Sequence, residues 1–190
     1  MGRPKGFLEI GGRTFTQRVV RALSEGGCDP VYVVVDAGDA RLADHARATG
    51  ASVLENPDPG EGPITSLRLA LGRLPDGVEA VVYLPLDHAL VEPEHVAELL
   101  AAAARSGAPL ALPVHGGKRG HPAFFRRMLF EELTDPLLEG GARTVVHRHL
   151  GRAHLLPCDD VAVITDMDTP EAYERGRRLH ATAPEAGAAE

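Results

Sequence analysis

The strongest constraint on the fold is a regular alternation of strand and helix patterns along the chain. The β-branched run 31–35 and the apolar run 80–86 predict two buried strands, and an aspartate follows each run directly. Segments 14–25 and 94–105 carry apolar residues at helical spacing and predict helices. Strands that alternate with helices are typical of α/β proteins. The sequence therefore predicts a three-layer, Rossmann-like α/β sandwich with a mostly parallel sheet.

Weaker patterns supply the other elements. They predict further helices and strands in the order helix 39–49, strand 52–54, helix 64–74, strand 109–114, helix 124–133, helix 142–149, strands 153–156 and 161–164, and helix 170–179. Ligands of open α/β sheets bind beyond the carboxyl ends of the strands. We therefore expect the site in the loops that follow the strands, which are 36–39, 56–62, 87–91, 115–122 and 166–169.

Length and composition limit the class of protein. A chain of 190 residues suits one domain, which we place at residues 1–180, with a disordered tail at 181–190. The net charge of −7, without a basic patch, argues against nucleic-acid binding. No apolar run approaches the ~20 residues of a membrane span. Two cysteines far apart, Cys28 and Cys158, favour a reduced, cytoplasmic protein over a disulfide framework.

Three aspartates follow predicted strands and could bind a cation. Asp87 ends an apolar run, and Asp166 and Asp168 are two residues apart, so an extended backbone would point both the same way. Together the three carboxylates would suit Mg²⁺, which prefers oxygen ligands. The alternatives are that Asp87 is a turn residue and that Asp168 caps the helix that begins at Pro170.

Cationic residues suggest contacts with phosphate. Arg3 and Lys5 lie in a Gly- and Pro-rich start, where they could meet a phosphate or simply be solvated. His121 follows Lys118 and Arg119 in a glycine-rich loop, so it could bind an anion or be an ordinary exposed histidine.

Six segments, in order, resemble one family. They are residues 1–5 (MGRPK), Asn56-Pro57 with 62–67 (GPITSL), 84–87 (LPLD), 120–122 (GHP), 141–143 (GAR) and 166–171 (DMDTPE). The chain resembles the MobA-like nucleotidyltransferases over about residues 1–178. The GHP and GAR segments resemble the branch that uses CTP to modify the molybdenum cofactor.

The resemblance implies a fold of the nucleotide-diphospho-sugar transferase type and a definite reaction. A phosphate of the acceptor attacks the α-phosphorus of a nucleoside triphosphate (NTP), and pyrophosphate leaves. The resemblance implies Asp87 and Asp168 as ligands of Mg²⁺, with Lys5 as a further catalytic residue on the triphosphate. It implies nucleotide or substrate contacts for Arg3, Asn56, Gly62, Ser66 and His121. The implied acceptor is phosphorylated molybdopterin, and the implied protein partner is a molybdoenzyme or its chaperone.

The sequence departs from the family pattern at some positions, and these departures leave other substrates as alternatives. His88 follows Asp87 where the family usually has Gln, and residues 63–65 (PIT) are similar to the branch that uses GTP. A GTP-using molybdopterin guanylyltransferase and a sugar-phosphate nucleotidyltransferase are therefore the alternative enzymes.

The family also has a central strand and a glycine-rich loop ahead of the segment that matches residues 1–5. This first strand would lie between strands 31–35 and 80–86, and its absence should weaken the fold and the affinity for NTP. One hypothesis is that the start was assigned at an internal Met. The other is that the 190-residue chain is an inactive, partner-binding domain.

Overall fold

The computed structural model of the chain describes residues 4–182, except for the side chain of Glu61. The helices are α1 (Phe15–Glu25), α2 (Ala40–Arg47), α3 (Pro63–Leu71), α4 (Pro93–Ser106), α5 (Phe130–Thr134), α6 (Ala142–His149) and α7 (Pro170–Thr182). The strands are β1 (Glu9–Ile10), β2 (Arg13–Thr14), β3 (Tyr32–Asp36), β4 (Ser52–Asn56), β5 (Ala80–Tyr83), β6 (Leu110–His115), β7 (Lys118–Arg119), β8 (Ala123–Arg126) and β9 (His154–Pro157). Short 3₁₀ turns include Lys5–Phe7, Leu86–His88 and Val161–Ile164.

The strands form three separate sheets within the described residues. β1 and β2 make a small antiparallel pair, and β3 and β4 pair in parallel. The largest sheet has five strands, in which β8 lies between β5 and β6 and is antiparallel to both. β7 pairs with the same edge of β6 as β8 does, further along the strand. β9 pairs in parallel with the other edge of β6. The predicted α/β class is confirmed, and the large sheet is mixed rather than mostly parallel.

The mixed sheet follows from one incorrect prediction. Residues 124–133 were expected to form a helix, but the first part of this segment is strand β8 and only Phe130–Thr134 is an α-helix. Phe124 and Phe125 alternate across the pleat and are 5% and 1% exposed, because both faces of the sheet are covered. Burial in the sheet therefore overrides a helical spacing that the sequence also allows.

The segment 161–164 was predicted as a strand and is a 3₁₀ turn. The Asp160 carboxylate accepts a hydrogen bond from the Ala162 N–H at 2.8 Å, which stabilises a turn at this point. The turn brings the chain back towards the carboxyl end of β5.

Helices cover the large sheet through two buried clusters. One cluster joins Phe15 and Val19 of α1 to Val96 of α4, and it extends to Met167 just before α7. The other joins helices α3, α5 and α6 to β6 and β8, with Leu67 and Leu133 among its members. The result is helices on both sides of the sheet, as the sequence predicts.

An apolar cleft of about 450 Å³ separates β3 from β5. Residues 31–34 line one wall and residues 80–86 line the opposite wall, and these two strands do not pair with each other. Val19 and Val20 of α1 and Leu67 of α3 also line it. The cleft lies where the family resemblance implies a further strand.

Two predictions concern the ends of the described residues. α7 continues to Thr182, so Ala181 and Thr182 of the expected tail are helical, and residues 183–190 lie outside the described range. Arg3 also lies outside it. Within residues 4–182, each helix is too short or too polar to cross a bilayer.

Candidate active site

Asp87 stands just beyond the carboxyl end of β5, in the 3₁₀ turn Leu86–His88. Its side chain is 22% exposed. The backbone N–H of Met167 donates to the carbonyl oxygen of Asp87 at 3.1 Å, which fixes the segment that carries Asp168 beside this turn. Thr169 supplies the cap of α7, since its Oγ1 accepts from the Ala172 N–H at 3.2 Å. Asp168 is therefore not needed as the cap of that helix.

Lys5, near the start of the chain, contacts both carboxylates. Its ammonium group donates a hydrogen bond to Asp168 and lies 3.9 Å from Oδ2 of Asp87. The turn that carries Lys5 is held by the Thr16 hydroxyl, which donates to the Gly6 carbonyl at 3.0 Å. The structure thus brings together the three residues that the family resemblance implies for catalysis.

The two carboxylates differ in their affinity for a proton. Burial, followed by the hydrogen bond and the charge repulsion with Asp168, raises the pKa of Asp87 to about 6, although the charge of Lys5 acts in the opposite direction. The hydrogen bond from Lys5, followed by the hydrogen bond with Asp87, lowers the pKa of Asp168. A pair of repelling carboxylates, one of them buried, is stabilised by added positive charge.

The carboxylate pair fits a divalent cation. Mg²⁺ is commonly bound by one or two carboxylates together with substrate phosphates. Asp87 and Asp168 offer that donor set, but the expected third ligand does not join them. Asp166 is exposed, and no group of three acidic, histidine or cysteine side chains close enough to share a metal occurs in the described part of the chain. The three-carboxylate hypothesis is therefore wrong for Asp166.

His88 and His121 lie beside Asp87 with their rings in contact, at a centroid distance of 4.4 Å and an interplanar angle of 54°. Burial, followed by the charge of His121, lowers the pKa of His88 to about 3, and burial also lowers the pKa of His121. Both rings are therefore neutral at pH 7, and the buried Nδ1 atom of each has no hydrogen-bond partner among the described residues. His121 is thus a neutral, partly buried side chain and not the exposed cation that its neighbours in the sequence suggest.

The loop around His121 is fixed by backbone packing. Its N–H donates to the Val163 carbonyl at 2.7 Å. A Cβ at Gly120 would lie only 2.1 Å from the same carbonyl oxygen, so only glycine fits there. The 3₁₀ turn that was predicted as a strand is therefore what positions His121.

Asn56, Gly62 and Ser66 lie together where β4 leads into α3. The Asn56 amide donates to the hydroxyls of Thr65 and Ser66 at 2.8 and 3.2 Å, and Asn56 is 3% exposed. Gly62 has φ of +91° immediately before α3, and Ser66 lines the apolar cleft. The side-chain amide of Asn56 thus stabilises the start of α3 through hydrogen bonds.

A second cavity, of about 770 Å³, adjoins the carboxyl end of β5. We call it the cationic cavity, because three arginines, Arg68, Arg119 and Arg143, line it and, among the described residues, no Asp or Glu does. It shares Pro63, Leu67, Tyr83 and Pro85 with the apolar cleft, and Pro85 lies two residues before Asp87 in the chain. Arg143 comes from the GAR segment, but the sequence pattern indicated no role for it.

Residues 1–155 match the family described as the MobA-like NTP transferase domain. The chain belongs to this family. MobA-like NTP transferases are nucleotidyltransferases, and the coarse activity of this chain follows from that membership. Asp168 lies beyond the matched residues, so its place beside Asp87 comes from the structure alone.

One curated relative of this MobA-like chain is a bifunctional IPC transferase and DIPP synthase from Rubrobacter xylanophilus. It is 38% identical over 102 residues, which cover 52% of this chain and 22% of the relative. This chain therefore spans a minor part of that protein's length.

Solved structures confirm the nucleotide-diphospho-sugar transferase fold. Rv0371C from Mycobacterium tuberculosis, in complex with manganese, is 24% identical with a TM-score of 0.75 and coverage of 93% of each chain. A CMP:2-keto-3-deoxy-manno-octonic acid synthetase bound to CTP is 17% identical with a TM-score of 0.74, and the match covers 93% of this chain and 91% of the synthetase.

Proposed function

We propose that the protein transfers a nucleoside monophosphate from an NTP, with CTP favoured, to a phosphorylated acceptor and releases pyrophosphate. The observation that carries the proposal is the convergence of Lys5, Asp87 and Asp168 beyond the carboxyl end of β5. The acceptor that the sequence motifs favour is molybdopterin, and the favoured metal is Mg²⁺.

The chemistry needs charge neutralisation and alignment more than covalent help. An oxygen of the acceptor phosphate forms a bond to the α-phosphorus, and the bond from that phosphorus to the pyrophosphate oxygen breaks with its electron pair. Asp87 and Asp168 would hold Mg²⁺, which when bound supplies positive charge to the triphosphate. Lys5 is placed to donate hydrogen bonds to phosphate oxygens beside the same carboxylates.

Specific observations favour alternatives to CTP as the nucleotide and to molybdopterin as the acceptor. Residues 63–65 favour GTP, whereas the GHP and GAR segments favour CTP. The 38% identity to the bifunctional IPC transferase and DIPP synthase over 102 residues favours an acceptor other than molybdopterin. A molybdoenzyme or its chaperone is the protein partner that accompanies the molybdopterin proposal.

A reducing, cytoplasmic location is consistent with the state of the two cysteines. Cys28 and Cys158 are both free thiols, and burial raises the pKa of Cys28 to about 11, so it is an unreactive thiol at pH 7.

Pyrophosphate release with CTP, GTP, UTP and dTTP at equal concentrations, with Mg²⁺ and a phosphorylated acceptor, tests the proposal. We expect CTP to be preferred and Asp168→Asn to reduce turnover by about a hundredfold or more. Asp166→Asn is the matched control, because this exposed carboxylate is two residues away and outside the pair, and it should keep turnover within about twofold. Equal losses in the two variants would contradict the assigned role of Asp168, and no turnover with any NTP would favour a non-catalytic binding domain.

A further inference from the structure

Lys5 supplies the only positive charge that contacts the carboxylate pair within residues 4–182. Its ammonium group donates a hydrogen bond to Asp168 and lies 3.9 Å from Oδ2 of Asp87. One other titratable nitrogen, Nε2 of His88, lies 3.9 Å from Oδ1 of Asp87, and burial keeps that ring neutral at pH 7. The ammonium group therefore occupies the position of a cation shared by the two carboxylates.

The backbone that carries Lys5 is held in place, whereas its side chain is free to move. The Phe7 ring, at the end of the same turn, packs against α2: the guanidinium of Arg41 lies 4.6 Å from its centroid, and the His45 ring lies at a centroid distance of 5.1 Å. The Lys5 side chain is 42% exposed. Because lysine has a flexible four-carbon stem, the ammonium group can leave the carboxylates by side-chain rotation alone.

An ammonium group and a divalent cation cannot share this position. Both need the same carboxylate oxygens, and their like charges repel each other at contact distance. A bound triphosphate changes this competition in two ways. Its oxygens accept charge-assisted hydrogen bonds from an ammonium group, and they also complete the ligands of a cation that is held by one or two carboxylates.

We propose that the Lys5 ammonium group is an internal competitor of the metal. It blocks the Asp87–Asp168 pair against free divalent cations and leaves the pair only when a triphosphate accepts its hydrogen bonds. This inference rests on the proposed function and names how the metal site of that function is regulated. Divalent cation and NTP would then bind with positive coupling, since each raises the affinity for the other by the same factor.

Binding of Mn²⁺ to the purified chain, without nucleotide, tests the competition. Electron paramagnetic resonance measures the free Mn²⁺ in the titration. We expect Lys5→Met to bind Mn²⁺ about tenfold or more tightly than the unaltered chain, because the competing charge is removed and the length of the side chain is kept. Lys5→Arg keeps the charge and should bind no more tightly than the unaltered chain. Equal affinity of Lys5→Met and the unaltered chain, or no detectable binding in either, would overturn the proposal.

Two controls locate the effect at the carboxylate pair. Lys118→Met removes the only other lysine of the chain, an exposed residue of β7, and should leave the affinity for Mn²⁺ unchanged. Addition of Asp168→Asn to Lys5→Met should abolish the gain in affinity. Both lysines are exposed, so circular dichroism should show unaltered folding in the lysine variants. A gain that Lys118→Met reproduces, or that persists without the Asp168 carboxylate, would contradict the proposal.

The coupling to nucleotide is a second readout. Addition of CTP should raise the Mn²⁺ affinity of the unaltered chain more than that of Lys5→Met, since the variant has no ammonium group to be drawn away. The direct affinity of Mn²⁺ for CTP enters both titrations equally. An equal gain in the two chains would contradict the role of the triphosphate.

These titrations need no turnover, so they separate this inference from the proposed function. Competition by Lys5 in a chain that transfers no nucleotide would count against the proposed function alone. Nucleotidyl transfer by a chain whose Mn²⁺ affinity is unchanged in Lys5→Met would count against this inference alone.

Discussion

The backbone N–H of Met167 is hydrogen-bonded to the carbonyl oxygen of Asp87 at 3.1 Å, so the two carboxylates of the site are linked through the main chain. Met167 is fully buried, and its side chain packs against Gly176 of α7, where a Cβ would lie 2.5 Å from the sulfur. The position of Asp168 therefore depends on the packing of its neighbour.

Met167→Ala should destabilise the fold and loosen the site. We expect a loss of about 2–5 kcal/mol in the free energy of unfolding, because the change leaves a cavity in the core. The matched control is Met128→Ala, since Met128 is 58% exposed and its loss should cost less than about 0.5 kcal/mol. Urea unfolding followed by circular dichroism measures both, and equal effects would contradict the packing argument.

Glu92→Gln should destabilise the loop that follows Asp87. Glu92 forms an ion pair with Arg18, which is 4% exposed and donates from Nε to the Ala89 carbonyl at 2.6 Å. Removal of the carboxylate leaves a buried guanidinium without its counter-charge, and we expect a loss of about 1–3 kcal/mol in unfolding free energy.

The control for this prediction is Glu25→Gln. Glu25 pairs with Arg21 on the surface of α1 and is 57% exposed, so its loss should cost less than about 0.5 kcal/mol. Chemical denaturation of the two variants gives the comparison. A stability of Glu92→Gln equal to that of the unaltered chain would show that the Arg18 pair contributes nothing.

Gly120→Ala should disturb the loop that carries His121. The new methyl group would lie 2.1 Å from the Val163 carbonyl oxygen, and backbone shifts of this kind cost about 1–3 kcal/mol. Gly151→Ala provides the control, because nothing lies within 4 Å of its Cβ position. Thermal unfolding distinguishes them, and a midpoint for Gly120→Ala as high as that of Gly151→Ala would argue against the close approach.

The apolar cleft predicts that the chain can accept a further strand. An amino-terminal extension with one apolar strand and a glycine-rich loop should raise the unfolding midpoint by about 5 °C or more, because it would pair with β3 and β5 and cover their apolar walls. It should also tighten binding of CTP with Mg²⁺. An extension in which two apolar strand residues are replaced by lysine is the control, and equal midpoints for the two extensions would reject this placement.

Asp87 was predictable from sequence because the end of an apolar strand is a local signal, whereas the segment 161–164 before Asp168 was predicted as a strand and is a 3₁₀ turn. Asp87 follows a long apolar run, and Asp168 lies shortly before a helix whose start is marked by Thr169 and Pro170. In an α/β fold such positions lie at one edge of the sheet. The partner of Asp168, Lys5, followed only from the family resemblance, since an exposed lysine near the start of the chain has no local signal of function.

The cationic cavity was not predictable in the same way. Arg119 lies in a short edge strand and Arg143 in the first turn of a helix, and only the tertiary fold brings them to one cavity. The incorrect helix over residues 124–133 has a related cause. Phe124 and Phe125 become a strand because the sheet buries both of them, and that burial depends on strands β5 and β6, which lie elsewhere in the chain.

The contact between Lys5 and Asp168 joins residues that are 163 positions apart. At a synthesis rate of about 5–20 residues per second, the second residue leaves the ribosome roughly 8–30 s after the first. A nascent chain that has folded its early helices still lacks one of the two carboxylates. A site that needs both Lys5 and Asp168 can therefore form only after residue 168 has left the ribosome.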